Sequence, residues 1–402
     1  MSDADFEAWI EEARRVPIEN VAEALGIRMP ARGEYSGPCI LGCCTTDGFS
    51  INPKKGVFLC RKSGAAGDGI SMVQHVRECD FVSACEYINE TPPPRGETRV
   101  RERDPEIERE RREEKRDAEI ERQREEAKAE DNARAKAARL FEQGVPIAGT
   151  QAEDYLESRG ILLHTFDPSD LRFIRDLSYV GYADADAQEA VELGRFHCMV
   201  AAMRDAQGRI QGLHRTYLDP HGAKKLQPPG DRKRNKAKKG MSKMGGGLIM
   251  LQPPSDLLAV GEGIETSLAW LAMARIGGFG DELAHAGVAA AYSLGNLCGL
   301  STGSIPHPHP PRGRPNATIP NGDPDMESGA MWIPAGVKQL ILLGDGDLDP
   351  DGEYKRETVA KLKTGLARFQ RLGFETIVHM APKDDDWADV LIAKWLKMRE
   401  AA

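Results

Sequence analysis

The stretch KQLILLGDGDLDPDG, residues 338 to 352, sets a short apolar run directly against a burst of carboxylates. Leu340 to Leu343 is too short for a helix of its own and is closed by Gly344, so it reads as a buried strand. Residues two apart on an extended chain point the same way, so Asp345 and Asp347 present their carboxylates together just past that strand. The same design occurs twice more. LLAVGEGIETSLAWLAMARI (257 to 276) runs from an apolar strand through Glu262 into a helical pattern, and ETIVHMAPKDDDWADVL (375 to 391) ends its strand before Asp384, Asp385, Asp386 and Asp389.

With VAAAYSL (288 to 294) between them, these segments alternate short strands with helices, the pattern of a parallel sheet covered by helices. Ligands of such sheets bind beyond the carboxyl ends of the strands, where all these acids fall. Gly261 and Gly263 keep side chains away from Glu262 and present it to solvent. Clustered carboxylates repel one another unless a cation joins them. Hard oxygen donors with open positions suit Mg²⁺ or Mn²⁺ and, through it, phosphoryl chemistry.

VGEGIETSLAW, LILLGDGDLDPDG and APKDDDWADVL resemble, in order and spacing, the three signature segments of the Toprim domain of bacterial primases, topoisomerases and some nucleases. The Glu-Gly-Ile-Glu-Thr and Asp-Trp-x-Asp forms are most similar to phage and plasmid primases. The resemblance implies that Glu262 is the family's catalytic glutamate, that Asp345 and Asp347 are its metal pair, and that Asp386 and Asp389 are its trailing acids on the same Mg²⁺ site. Asp349 and Asp351 either assist or cap the next helix.

Upstream, RFHCMVAAMRDAQGRIQGLHRTYLDPHG reads as two strands joined by a turn at Asp205 to Gly208, with a second turn at Asp219 to Gly222. KKLQPPGDRKRNKAKKGMSK (224 to 243) then packs Lys and Arg against one acid, Asp231, inside a chain of net charge −9. A local basic surface of this kind marks His214, Arg215, Lys224, Lys225, Lys239 and Lys243 as candidates for nucleic-acid or nucleotide binding. For residues 231 to 240 a solvated lysine-rich loop is the alternative. The block from Arg195 to Lys243 also resembles the basic subdomain that precedes the Toprim fold in primases.

Between the triple proline at 92 to 94 and Leu140 the chain reads as a charged helix opened by Asp104 and Pro105, with almost no apolar face. Glu108 with Arg112 and Glu130 with Arg134 sit four apart, each pair worth roughly 0.2 to 0.5 kcal/mol. A solvated connector is expected. The segment from Ser301 to Met331 lacks periodicity and reads as a surface loop.

Cys39, Cys43, Cys44, Cys60 and Cys79 crowd the first 80 residues, which in a reducing compartment points to metal rather than disulfides. GPCILGCCTTDGFSINPKKGVFLCRKSGAAGDGISMVQHV resembles the zinc-ribbon module of primases. By that resemblance Cys39, Cys43 and Cys60 occupy three Zn²⁺ ligand positions, while Ser63 stands at the fourth and is a poor ligand. Either Cys44 completes the site or the fold is kept by packing alone.

The expected fold class is therefore mixed, α/β and α+β in several domains. Residues 1–92 form a zinc-ribbon-like module, 93–142 a charged helical linker, 143–250 a mixed basic subdomain, and 251–402 a Toprim domain with a Rossmann-like parallel sheet. No apolar stretch approaches the roughly 20 residues that span a bilayer, and the acidic amphipathic N-terminus is unlike an export signal, so a cytoplasmic protein is expected with no membrane partner. The resemblance implies a DNA primase acting on single-stranded DNA template with NTPs and Mg²⁺ or Mn²⁺, with a replicative helicase as further partner. A Toprim nuclease and a non-catalytic DNA-binding replication factor are the alternatives. The topoisomerase reading lacks its tyrosine-bearing module.

Overall fold

The computed structural model describes residues 3–30, 33–41, 48–94, 105–311 and 313–401, in two compact units, Met1–Arg116 and Asp117–Ala402. In the first unit, helices α1 (Asp3–Arg15) and α2 (Ile18–Ala24) precede four short strands, β1 (Tyr35–Gly37), β2 (Phe49–Asn52), β3 (Val57–Cys60) and β4 (Ala66–Gly67), and helices α3 (Gly69–Arg77) and α4 (Phe81–Asn89) follow. The strands pair antiparallel in the order β1-β2-β3-β4. Alternation fixes their inward face: Phe49, Ile51, Phe58 and Cys60 are buried and pack with Val21, Ile70 and Val73 of the helices. Asp68 and Asp80 start α3 and α4 by accepting from the backbone N–H of Ser71 (2.9 Å) and Ser83 (2.8 Å).

Helix α5 (Pro105–Glu142) forms where the charge pattern predicts it, and its side chains are exposed over Arg116 to Ala129. Its end departs from the solvated connector. Ala137 and Phe141, four apart, are buried against Tyr179, Cys198 and Val200, and Arg134 reaches Asp205 at 3.3 Å. Two apolar residues at helical spacing are enough to dock the last turns.

The second unit continues with α6 (Gln151–Ser158) and an antiparallel meander of β5 (Leu171–Gly181), β6 (Val191–Arg204), β7 (Ile210–Tyr217) and β8 (Lys238–Ser242). Part of the run expected as a lysine-rich loop is thus strand. Thr216 pairs with Lys238 and His214 with Gly240, so β7 supplies the ladder that the lysine-rich sequence does not advertise.

A five-stranded sheet follows, built from β9 (Ile249–Gln252), β10 (Leu257–Gly261), β11 (Gly287–Ala290), β14 (Gln339–Gly344) and β15 (Glu375–Met380) in the order β15-β14-β10-β11-β9, parallel except for β9. The central strands are buried along nearly their whole length, as strands covered on both faces must be. Helices α7 (Ile264–Arg275) and α10 (Trp387–Ala401) share one core with Ala259 and Ile341, whereas α8 (Leu294–Cys298) and α9 (Arg356–Arg371) share a second with Val260 and Leu342.

The segment from Ser301 to Met331 is more ordered than a structureless loop. It holds a hairpin of β12 (Ser304–Pro306) and β13 (Thr318–Pro320), tied to α9 by Arg371 with Asp323 (2.5 Å) and Arg368 with the Ser328 hydroxyl (2.6 Å). Two arginines on a neighbouring helix replace the apolar periodicity the segment lacks. No helix among the described residues is long and apolar enough to cross a membrane.

Candidate metal sites and nucleic-acid interface

Adjacent strands β10, β14 and β15 run in register, Val260 beside Leu342 and Leu342 beside Val378, so they deliver their carboxyl ends side by side. Glu262 follows β10, Asp345 and Asp347 follow β14, and Asp386 opens α10 after β15. Gly346 is indispensable to this gathering. A Cβ on it would collide with the Pro382 carbonyl oxygen, and its backbone N–H donates to the Asp385 carbonyl at 2.9 Å. Glycine thus lets the acid-rich loop at 382 to 385 close against the Asp-Gly-Asp turn.

Glu262, Asp345 and Asp347 line a cavity of about 360 Å³ together with Lys355 and Lys361. The Thr266 hydroxyl donates to Asp345 at 3.2 Å. Burial, reinforced by the charges of Asp386 and Asp347, still pushes the Asp345 carboxyl above its ordinary pKa. Glu262 is likewise raised, by desolvation and then by Asp345. Negative charge on hard oxygen donors that Lys238, Lys355 and Lys361 offset only in part is the condition a Mg²⁺ ion relieves, so these residues fit the ion the sequence implied. Asp389 is exposed, and Arg159 binds Asp386 at 2.8 Å and approaches Asp389 at 3.9 Å. Asp349 and Asp351 are engaged by Arg356, at 2.9 and 2.5 Å, which fixes the entry to α9.

Of the basic candidates, Lys225 places its Nζ 4.0 Å from Glu265 on the first turn of α7. Lys224 pairs with Asp219 at 3.7 Å and Lys243 with Glu130 at 3.0 Å. Arg215 donates to the Gly240 carbonyl at 3.0 Å, and Lys239 sits 4.2 Å over the Tyr179 ring on the face of β8 opposite Lys238. His214 does not face solvent. It is 3% exposed on a strand covered on both sides, edge-on to Tyr292, with neither ring nitrogen hydrogen-bonded.

Burial first, and the Lys238 charge second, push His214 down to about 4 from 6.5, with Glu265 acting in the opposite sense. The unfolded chain takes up that proton near pH 6.5 and the folded chain near 4, so stability falls as pH drops through this window. His214→Phe keeps the ring and removes the titration. Its thermal unfolding should lose less stability than wild type on acidification from pH 6.5 to 4.5, by a difference on the order of 2 to 3 kcal/mol. Equal acid slopes would show that the ring is not held neutral.

In the first unit the Cys39, Cys60 and His75 ligand atoms all lie within 4.8 Å of one another. Cys39 Sγ and His75 Nε2 are 3.4 Å apart, close to the edge of about 3.5 Å that a tetrahedral zinc with bonds near 2.3 and 2.05 Å would demand. Phe49 and Phe58 stack on the imidazole at 6.1 and 5.9 Å and hold its plane. The donor set therefore fits zinc, with a ligand the sequence did not suggest. Ser63 instead accepts from the Ala65 backbone N–H at 3.3 Å and shapes the turn after β3. Cys43 and Cys44 lie outside the described residues.

Sequence reasoning also missed Lys238, Glu265, Tyr155 and Arg159. Glu265 carried a signal, because it belongs to the same Glu-Gly-Ile-Glu segment as Glu262. Arg159 and Tyr155 had none, since their partners Asp386 and Glu265 lie 227 and 110 residues away in the chain.

A domain of unknown function (DUF7146) matches residues 131–251. No curated protein matches the sequence. Among solved structures, the chain is similar to the zinc-binding and RNA polymerase domains of the Aquifex aeolicus primase, at 14% identity and TM-score 0.35 over 98% of this chain and 84% of that one. The DnaG primase catalytic domain bound to ssDNA aligns at 16% identity and TM-score 0.38 over 68% of this chain and 78% of that one. The E. coli primase catalytic core aligns at 14% identity and TM-score 0.35 over 68% and 77%.

Proposed function

We propose that this chain is a DNA primase of the bacterial and phage type, making short RNA primers on single-stranded DNA in the cytoplasm. Its Toprim domain (251–402) performs nucleotidyl transfer, the basic subdomain (143–250) guides template and NTPs, and the zinc-ribbon-like module (1–92) reads template. The linker at 93–142 joins them, and a replicative helicase is a further partner. The observation that carries the reading is the convergence of Glu262, Asp345 and Asp347 at the ends of neighbouring parallel strands, lining a cavity that Lys355 and Lys361 also line.

Glu262, Asp345 and Asp347, aided by Asp386 and Asp389, would hold Mg²⁺ or Mn²⁺. When bound, that ion supplies charge stabilisation on the reacting phosphate oxygens and favours ionisation of the attacking hydroxyl. The chain's own residues do the rest. Thr266 orients Asp345 through its hydrogen bond, and Arg159 pairs with Asp386, whose charge acts on Asp345. Lys355 and Lys361 offer positive charge to a phosphate entering the cavity. The step joins a 3′-hydroxyl to the α-phosphate of an NTP, and pyrophosphate leaves.

Incubation of the whole chain with single-stranded DNA, labelled NTPs and Mg²⁺ tests this. Alkali-labile products that lengthen with time are expected. Shortening of the template without such products would replace the primase by a nuclease on the same acids.

A further inference from the structure

Glu265 stands three residues after Glu262, on the first turn of α7, and is 6% exposed. A carboxylate withdrawn from water so completely persists in its charged form only if it is paired and hydrogen-bonded. Its partners come from three separate parts of the second unit. The Tyr155 hydroxyl, itself on a side chain 1% exposed, donates to one oxygen at 2.5 Å. Lys238 Nζ donates to the other at 2.8 Å, and Lys225 Nζ lies 4.0 Å from the first.

Two ammonium groups against one carboxylate leave one positive charge over. Both lysines keep a route to solvent, with side chains 35% and 45% exposed. Lys238 also borders the proposed metal acids. A Cβ on Gly263, the residue next to Glu262, would lie 3.9 Å from Lys238 Nζ and 3.7 Å from Glu265 Oε2. A buried anion thus holds two semi-exposed cations, Lys238 within reach of Glu262 and Asp345 and Lys225 within reach of Asp386.

We infer that Glu265 is a positioning residue: locked by Tyr155, it clamps Lys238 and Lys225 into a cationic pair that receives the polyphosphate tail of the incoming nucleotide. A lysine on a four-carbon stem is a mobile point charge, and fixing it in advance removes the cost of ordering it on binding. Tyr155 adds rigidity, because its ring is packed in the main core with Leu268 and Trp387. The inference rests on the nucleotide-using reading proposed above and adds to it the group that aligns the phosphate-binding lysines.

The test is calorimetric binding of inorganic tripolyphosphate with Mg²⁺ to the whole chain, beside the KM for NTP in primer synthesis. Glu265→Gln keeps shape and the Tyr155 contact but loses the charge, and should weaken tripolyphosphate about tenfold and raise KM more than it lowers kcat. Lys238→Met should weaken binding to a similar degree, Tyr155→Phe by a few-fold, and Lys397→Met on the exposed face of α10 not at all. If Glu265→Gln does not fold, Tyr155→Phe and Lys238→Met carry the test by the same criteria. Wild-type affinity in Glu265→Gln or in Lys238→Met, or no binding by wild type, overturns the inference. Tripolyphosphate binding that depends on Glu265 in a chain that makes no primers would instead leave the clamp standing and remove the primase reading.

Discussion

Asp345→Asn is expected to cut nucleotide transfer by about 10³-fold while leaving the folded chain at least as stable as wild type in the absence of divalent metal. The loss follows from the several kcal/mol that a metal at a reacting phosphate supplies, each 1.36 kcal/mol being tenfold in rate. The stability follows from the site's own electrostatics. Burial and the nearby Asp386 and Asp347 charges disfavour the Asp345 carboxylate, and asparagine keeps the oxygen that accepts from Thr266 while removing the charge. Mg²⁺ should therefore raise the melting temperature of wild type and not that of the variant. A variant that melts well below wild type in chelator would mean that Asp345 serves the fold rather than a metal.

The second large effect belongs to the thiol and imidazole cluster. Purified wild type should carry about one zinc per chain, and His75→Ala or Cys60→Ala should carry almost none and lose the cooperative unfolding of the first unit. Structural zinc supplies roughly 10 to 16 kcal/mol in small zinc-finger peptides, more than a core of that size provides by itself. Elemental analysis after gel filtration, with circular dichroism before and after a chelator, measures both. A zinc-free wild type whose first unit unfolds normally would show that Cys39, Cys60 and His75 are a packed cluster only. Full zinc content in His75→Ala would exclude the histidine as a ligand.

The carboxylate half of the candidate site was legible in the sequence because its geometry is local. A strand, a glycine and an acid are contiguous at Val260 to Glu262 and at Leu343 to Asp345, and parallel pairing makes every such end a neighbour of the next. Residues whose roles depend on long-range pairing were not legible. Lys238 looked like one more charge in a solvated run until β7 paired with it and turned it toward Glu265. His75 sits on a helix 36 residues from Cys39, outside any knuckle spacing, and only the fold of β2 and β3 under α3 brings it to the thiols. His214 misled for the reverse reason. Its place in an alternating strand suggested an open face, but both faces of β7 are covered, one by the core containing Tyr179 and Tyr217 and the other by Tyr292.

The central claim is that the acids at the strand ends perform metal-dependent nucleotide polymerisation. Its most direct test is RNA synthesis on single-stranded DNA by the whole chain, run in Mg²⁺ and in chelator, with wild type and the Asp345→Asn, Asp347→Asn double variant in parallel. Labelled alkali-labile oligomers made by wild type in Mg²⁺ alone are the predicted result. Products made by the double variant at the wild-type rate would contradict the account.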